Sequence, residues 1–298
     1  MGALPSVFSG ELLALGAALI SSVGYVSARR GLADASAEVL VTATTLVSVV
    51  LLLPFVFLSG IPTLSPEAVG VFIASGILGS GLGRFMLSHV IGKIGAGVTH
   101  AVKSASPVTA AVFSVLFLGE TLSPPLAVGI VIVVLGLILL TRRPQAEPTE
   151  PTADTTTTAI LALVIVLWFG VTPVIRKFGL SVLGTPLLPA LTLNFAAGLL
   201  VGVVISLYTD SSQLRRAVSG KARNYLLLTG VCWTVAIGAY FTALSRADAV
   251  VVVPIFNSSP LFTVALSIFL LGEREAARPS TLIGAVVTVV GVVLITLG

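Results

Sequence analysis

Charge is what this chain has least of. Its 298 residues include 16 Lys+Arg and 12 Asp+Glu, 9% in all, where a soluble domain carries roughly a quarter. So few charges cannot clothe two water-facing domains of ordinary size. The mean hydropathy of +1.12 makes lipid the solvent for most of the chain. The same composition excludes intrinsic disorder, which needs low hydrophobicity. The single cysteine, Cys232, lies in an apolar stretch, so there is no disulfide framework and no Cys-based metal site. The chain has 2 histidines, His89 and His100, too few for a His-rich metal centre, and no cofactor is expected. The phosphate-binding loop of a self-contained ATP-driven pump, Gly-x4-Gly-Lys-[Ser/Thr], is missing, as are Gly-x-Ser-x-Gly and His-Glu-x-x-His. Asp34, Asp154, Asp210 and Asp248 all lie outside the apolar runs or at their edges, so an enzyme is not expected. The pI near 9.6 comes from basic residues placed singly or in pairs between apolar runs. That is a topology signal rather than a nucleic-acid surface.

A helix crossing a hydrocarbon core of about 30 Å needs about 20 mostly apolar residues. Ten such spans can be marked, at 10–29, 37–58, 67–87, 95–118, 123–141, 159–178, 185–208, 224–245, 249–271 and 279–297. Residues 1–10 contain no Lys or Arg, so the basic start of a secretory signal is absent and the first span is expected to stay as a helix. Arg142 to Thr158, rich in Thr, Pro, Glu and Asp, reads as a solvated linker.

The chain also repeats itself. Leu13-Ala14-Leu15 returns as Leu161-Ala162-Leu163 at an offset of 148, Ser106-Pro107 with Gly119-Glu120 returns as Ser259-Pro260 with Gly272-Glu273 at 153, and Val128 to Thr141 aligns with Ile283 to Thr296 at 155. A slowly drifting offset is the trace of a duplication with small loop insertions. The first copy covers 1–141 and the second 159–298, with 142–158 between them. Each holds five spans, an odd number, so the second must enter the membrane from the opposite side. The expected fold is an all-α membrane protein of ten transmembrane helices in two inverted five-helix repeats. Such repeats typify secondary transporters, whose substrate site lies near the midplane between the halves.

Each half has a Pro-containing fourth helix ending in Gly-Glu (Pro107 to Glu120; Pro260 to Glu273) and a fifth helix with two glycines seven apart, Gly129/Gly136 and Gly284/Gly291. In these features the chain resembles the EamA-type family of the drug/metabolite transporter superfamily. The resemblance implies a ten-helix bundle around a central cavity and transport of small metabolites, amino acids or related compounds, often as export.

The fourth span carries His100 and Lys103 three residues apart, on one face with Ser104 and Pro107. A cation at membrane depth is a functional candidate by default; a Lys facing the cavity would favour a carboxylate or phosphate, while the alternative is that Lys103 snorkels to the headgroups. The matching face of the ninth span carries Asn257, Ser258 and Pro260. Pro107 and Pro260 are expected to kink their helices and act as hinges. Trp168 and Trp233 fall mid-span, away from the interfaces where Trp collects, and are expected to wall the cavity. Tyr25, Arg84, Asn194 and Tyr240 are further candidates, with an interfacial position for Arg84 as the alternative. Glu120 and Glu273 match between halves, but beside helix-ending glycines they are expected to serve the following turn. With no carboxylate near the middle of a span, His100 is left as the group to titrate if transport is proton-coupled. The glycine pairs and Gly76, Gly79 and Gly83 are expected to let backbones pack closely.

With the amino terminus outside, cytoplasmic connections hold Arg29, Arg30, Lys93, Arg142, Arg143, Arg215, Arg216, Lys221, Arg223, Arg274 and Arg278, against Arg176, Lys177 and Arg246 outside. This bias predicts both termini outside, whereas the resemblance implies both inside. The expected partners are a small-molecule substrate, the lipid bilayer, and protons or a counter-substrate for coupling, with no nucleic acid and a monomeric or homodimeric state. A passive channel or a non-transporting structural membrane protein is the competing reading.

Overall fold

A computed structural model of the chain describes residues 9–60, 63–94, 99, 102–141, 155–207, 220, 222–271 and 279–298. Every regular element among them is helical: α1 (Gly10–Gly31), α2 (Ala37–Ser59), α3 (Pro66–Ser75) and α4 (Gly83–Ile94), α5 (Ser106–Leu118), α6 (Pro124–Thr141), α7 (Thr155–Lys177), α8 (Leu187–Leu207), α9 (Ala222–Arg246), α10 (Ala249–Asn257), α11 (Ser259–Leu271) and α12 (Pro279–Leu297). A π-helical segment, Gly76–Leu82, joins α3 to α4, and a second, Phe178–Val182, follows α7. Among the described residues eight helices are long and apolar enough to cross a membrane. Two shorter apolar helices, Ser106–Leu118 and Pro124–Leu140, fall where the fourth and fifth spans are expected. The chain is a multi-pass integral membrane protein.

Local chemistry fixes where several helices start. Ser9, Ser36 and Ser65 each cap a helix, their Oγ accepting from the N–H of Leu12, Val39 and Ala68, and Glu11, Glu38 and Glu67 lie in the first turn. The hydroxyl satisfies an otherwise orphaned N–H and the carboxylate opposes the positive end of the helix dipole.

The bundle exposes large apolar side chains and mixes small polar residues into an apolar core. Leu58 and Phe269 are 86% and 84% exposed, while Thr45, Ser48, Asn194 and Thr288 are fully buried. The buried hydroxyls tie helices together: Thr234 Oγ1 donates to Ser48 Oγ at 2.8 Å between α9 and α2, Ser27 Oγ to the Tyr225 carbonyl at 2.9 Å between α1 and α9, and Thr109 Oγ1 to the Val166 carbonyl at 2.9 Å between α5 and α7. In a bilayer such bonds contribute about 0.6 kcal/mol each, so their main effect is to fix register.

The glycines act as the spacing predicts. A Cβ on Gly136 would meet Thr288 and one on Gly291 would meet Val133, because α6 and α12 run in backbone contact. α1 packs along α9, α2 along α8 and α5 along α7, and α1 also meets α10 and α11.

The expected third span, 67–87, coincides with the membrane-length stretch Pro66–Leu87, and helix continues beyond it through Ile94. One expectation needs correction. The prolines do not bend continuous helices. Ser104 and Ala105 form a turn before α5, and α10 stops at Asn257 before α11 starts at Ser259, so Pro107 and Pro260 each sit in the first turn of a new helix. There the missing N–H is one that a helix start leaves unpaired in any case. Both breaks close on the same pattern, with Ala105 N–H donating to the Val102 carbonyl at 3.0 Å and Ser258 N–H to that of Ile255 at 3.1 Å.

Candidate functional site

The aromatic and cationic candidates assemble from helices far apart in sequence. Tyr25 of α1 meets Trp233 of α9 edge to face with centroids 4.9 Å apart. Arg84 of α4 lays its guanidinium over the Trp233 ring at 4.0 Å, a stacking geometry that suits its planar, weakly hydrated cation. Tyr25, Arg84 and Trp233 all keep part of their surface accessible. Gly24 makes this approach available, since a Cβ there would come 3.1 Å from the Trp233 ring. Arg84 is therefore not interfacial but packed into the bundle.

Trp168 of α7 donates its indole N–H to the Leu78 carbonyl at 2.7 Å. The π segment that holds Leu78 is closed by Gly83 N–H bonding the same carbonyl. Gly83 also leaves room for the Trp168 ring, 3.0 Å from where its Cβ would be. A π-helical insertion of this kind widens one turn and re-aims the next stretch of helix, and such insertions recur at functional sites.

Below this lies a cation that the sequence pattern places in an external loop. Arg176, at the end of α7, is 7% exposed. Its Nη2 donates to Asn194 Oδ1 at 3.3 Å, its guanidinium lies over Phe241 at 5.2 Å, and its Nε has no hydrogen-bond partner. Asn194 Oδ1 also accepts from Ser75 Oγ at 2.8 Å, while Asn194 Nδ2 donates to Ser80 Oγ at 2.8 Å. Gly79, in the π segment between those serines, leaves the space that the Arg176 guanidinium fills. Tyr240, 3% exposed, stacks on Phe256 of α10 at 4.2 Å. The signal for Arg176 was in the sequence: Phe178 to Leu183 continues the apolar run beyond the Arg-Lys pair, and the structure carries one membrane-length helix through Thr156–Val182.

Lys103 lies over the ring of Phe169 at 4.8 Å, one residue along α7 from Trp168. The Lys103 and Phe169 side chains are both half-buried. Ser104 is buried in the turn before α5. His100 and Glu273 lie outside the described residues. Asn257 Nδ2 donates to the Val253 carbonyl at 2.9 Å and Ser258 Oγ to that of Ile255 at 2.6 Å. Both donors thus bond their own helix, at the break where the ladder leaves carbonyls to satisfy.

Glu120 is also corrected. Rather than serving its own turn it crosses to the other half, its two oxygens accepting from Ala249 N–H at 2.8 Å and Val250 N–H at 2.9 Å. It supplies the cap that Asp248, the residue before α10, does not. Gly119 at φ +67° ends α5 in the left-handed conformation that glycine adopts without strain, and this turns Glu120 back toward α10. Beside it Lys177 Nζ donates to the Ala247 carbonyl at 2.9 Å. Among the described residues no group of three or more His, Cys, Asp or Glu could hold a metal ion.

The sequence profile of the EamA-like transporter family matches the chain twice, at residues 8–142 and 156–297. Over 147 residues, 49% of each chain, it is 27% identical to the uncharacterized transporter YwfM of Bacillus subtilis (strain 168). The match thus spans about half the length of that relative. A solved structure described only as "Crystal structure of protein" superposes with a TM-score of 0.78 at 15% identity, covering 97% of this chain and 96% of the other, a likeness of fold. Two consecutive profile matches that together take in nearly the whole sequence settle the family: the chain belongs to the EamA-like transporter family.

Proposed function

We propose that the protein is a secondary transporter that moves a small polar metabolite by alternating access, its two repeats inverted in the membrane and rocking about a site between them. The observation that carries this reading is the joining of Tyr25 and Arg84 from the first matched segment with Trp233 from the second in one partly accessible cluster. A midplane site shared by the halves is what inverted-repeat carriers use.

The packing supports the arrangement. α1 against α11 is answered by α7 against α5, and α2 against α9 by α8 against the first π segment, while α6–α12 and α2–α8 are each their own counterpart. Exchanging the repeats maps these contacts onto one another, as a two-fold relation requires. The exchange is uneven, because among the described residues α1 packs along α9 more extensively than α7 along α3 and α4. Unequal closure of equivalent interfaces is how an alternating-access carrier is open to one side at a time. Alternation over ten spans also puts the connections after the fourth, sixth and eighth on one face, and Glu120, Lys177 and Ala247 do meet there. In this mechanism Lys103 draws an anionic solute inward, Trp168, Trp233, Tyr25 and Tyr240 wall the path, Ser104, Asn257 and Ser258 orient it, and the helix breaks at Pro107 and Pro260 take up the bending.

The test is counterflow in proteoliposomes. A carrier shows saturable accumulation of a labelled solute when the same unlabelled solute is preloaded. Flux that never saturates points to a channel, and no flux across amino acids, organic acids and nucleotides removes the transport reading.

A further inference from the structure

We propose that the junction between α9 and α10 is the gate of the carrier on the face where α1 begins, shut in this structure by a latch of Glu120 and Lys177. This rests on the transport reading above and adds to it which contacts open and close.

The start of α1 and the ends of α5, α7 and α9 converge on the start of α10. α9 ends at Arg246 and α10 begins at Ala249, and a Cβ on Gly10, the first residue of α1, would meet Ala247 and lie 3.2 Å from the Ala243 carbonyl oxygen. The ends of α5 and α7 supply the charges. Lys177 Nζ donates to the Ala247 carbonyl at 2.9 Å, and Glu120 accepts from Ala249 N–H at 2.8 Å and Val250 N–H at 2.9 Å. Each charge meets a helix end of opposite dipole sign, the cation at the carbonyl end of α9 and the anion at the amide end of α10. The next two amides, of Val251 and Val252, bond the Asp248 carbonyl, so Glu120 serves the pair that the helix start leaves over. Ala249 and Val250 are both buried, and their amides are kept from water while Glu120 is in place.

The chemistry of this joint differs from that of the seam between the two fifth spans. α6 and α12 are held by close backbone packing at Gly136 and Gly291, the ordinary lasting joint between membrane helices. Glu120 instead reaches from the first matched segment to the second through charge-assisted bonds, and the exposed Arg246 and Asp248 flank the junction. Water there can take over each bond as it breaks, and exchanging protein partners for water leaves a small net difference. A joint of that kind is reversible. The glycine seam therefore serves as the pivot, and the latch is the part that opens.

Pulsed electron spin resonance on the purified full chain tests this. Thr121→Cys and Ser245→Cys, at exposed positions of the two halves beside the latch, carry nitroxide labels on a Cys232→Ser background, and the distance between them is measured with Glu120 intact and in Glu120→Gln. Glutamine keeps the size but turns one of the two acceptor oxygens into a donor. One short distance should dominate with Glu120 intact. In Glu120→Gln a second, longer distance should grow, its ratio to the short one rising at least about 10-fold, the scale of losing a hydrogen bond to a charged group. Lys177→Met should shift the ratio the same way and decides if Glu120→Gln does not elute as a monodisperse protein. An unchanged short distance in a folded variant, broadening without a second defined distance, or loss of folding in both variants makes the contacts a fixed structural cap and overturns the proposal. The distances are read without solute, so a ratio that shifts in a protein showing no counterflow leaves the latch standing and defeats the transport reading. Saturable counterflow with an unchanged distance does the reverse.

Discussion

At the scale of single residues, three cations sit among the helices in different surroundings: Arg176 is buried, while Arg84 and Lys103 keep part of their surface accessible. Arg84 and Arg176 are stacked and hydrogen-bonded in fixed positions, whereas Lys103 is a flexible point charge resting on Phe169. If the proposed transport reading holds for an anionic solute, a planar guanidinium suits docking and a mobile ammonium acts through a field that salt screens. Lys103→Met is therefore expected to raise the KM for an anionic solute about 3-fold at low ionic strength, with the gap to wild type closing near 0.5 M salt. A gap that persists at high salt would make Lys103 a docking residue. The composition and hydropathy of the sequence nominated Arg84, Tyr25 and Trp233 one at a time, but not their meeting, since period and span length carry no information about which helices neighbour each other. Arg176 escaped for a sharper reason. A basic pair after an apolar run is the usual mark of a span end, and the π-helical segment at Phe178–Val182 lets the helix continue past it. Trp168 is placed by its bond to the Leu78 carbonyl. Trp168→Phe removes a donor from that part-buried carbonyl, and the thermal midpoint should fall by an amount equivalent to about 1 kcal/mol.

At the scale of elements, the Gly-Glu that closes α5 is a device for joining the halves, and only its glycine was legible in advance. Gly119 announces a helix end; that Glu120 caps α10, 129 residues away, depends on the tertiary fold alone. Burial pushes the Glu120 carboxyl above its ordinary value, outweighing the two amide bonds that pull it down, with Asp248 adding to the rise and Lys177 opposing it. A group whose pKa is higher in the folded state contributes stability that is fully present below its unfolded value near 4.5 and is lost as pH rises through the folded one. Glu120→Gln cannot ionise, so its thermal midpoint should vary less than that of the wild type between about pH 4 and 7. A variant slope equal to the wild type's would mean that the α10 cap does not titrate in this range. The sequence showed where the fourth and ninth spans break through Pro107 and Pro260, but it suggested kinks. The observed breaks come two or three residues earlier, because a proline is better accommodated in the first turn of a helix than in its middle.

At the scale of the whole molecule the open matter is orientation, and the structure alters the charge count that bears on it. Arg176 is buried within a membrane-length helix, so it leaves the tally of external basic residues, which then holds Lys177 and Arg246 against eleven on the other face. The positive-inside bias grows, and with it the expectation that both termini face outward. Inversion itself can be tested separately. Thr63, exposed in the connection between α2 and α3, and Gly220, exposed before α9, occupy equivalent connections of the two repeats. Parallel repeats put them on the same side of the membrane and inverted repeats on opposite sides. Cys232 is the only native thiol, so Thr63→Cys and Gly220→Cys can each be made on a Cys232→Ser background and treated in intact cells with a membrane-impermeant maleimide. Thr63→Cys should label and Gly220→Cys, flanked by Arg215, Arg216, Lys221 and Arg223, should label only after the cells are opened. The reverse pattern keeps the inversion and overturns the charge-based orientation; labelling of both, or of neither, in intact cells overturns the inversion and with it the two-fold exchange on which alternating access depends.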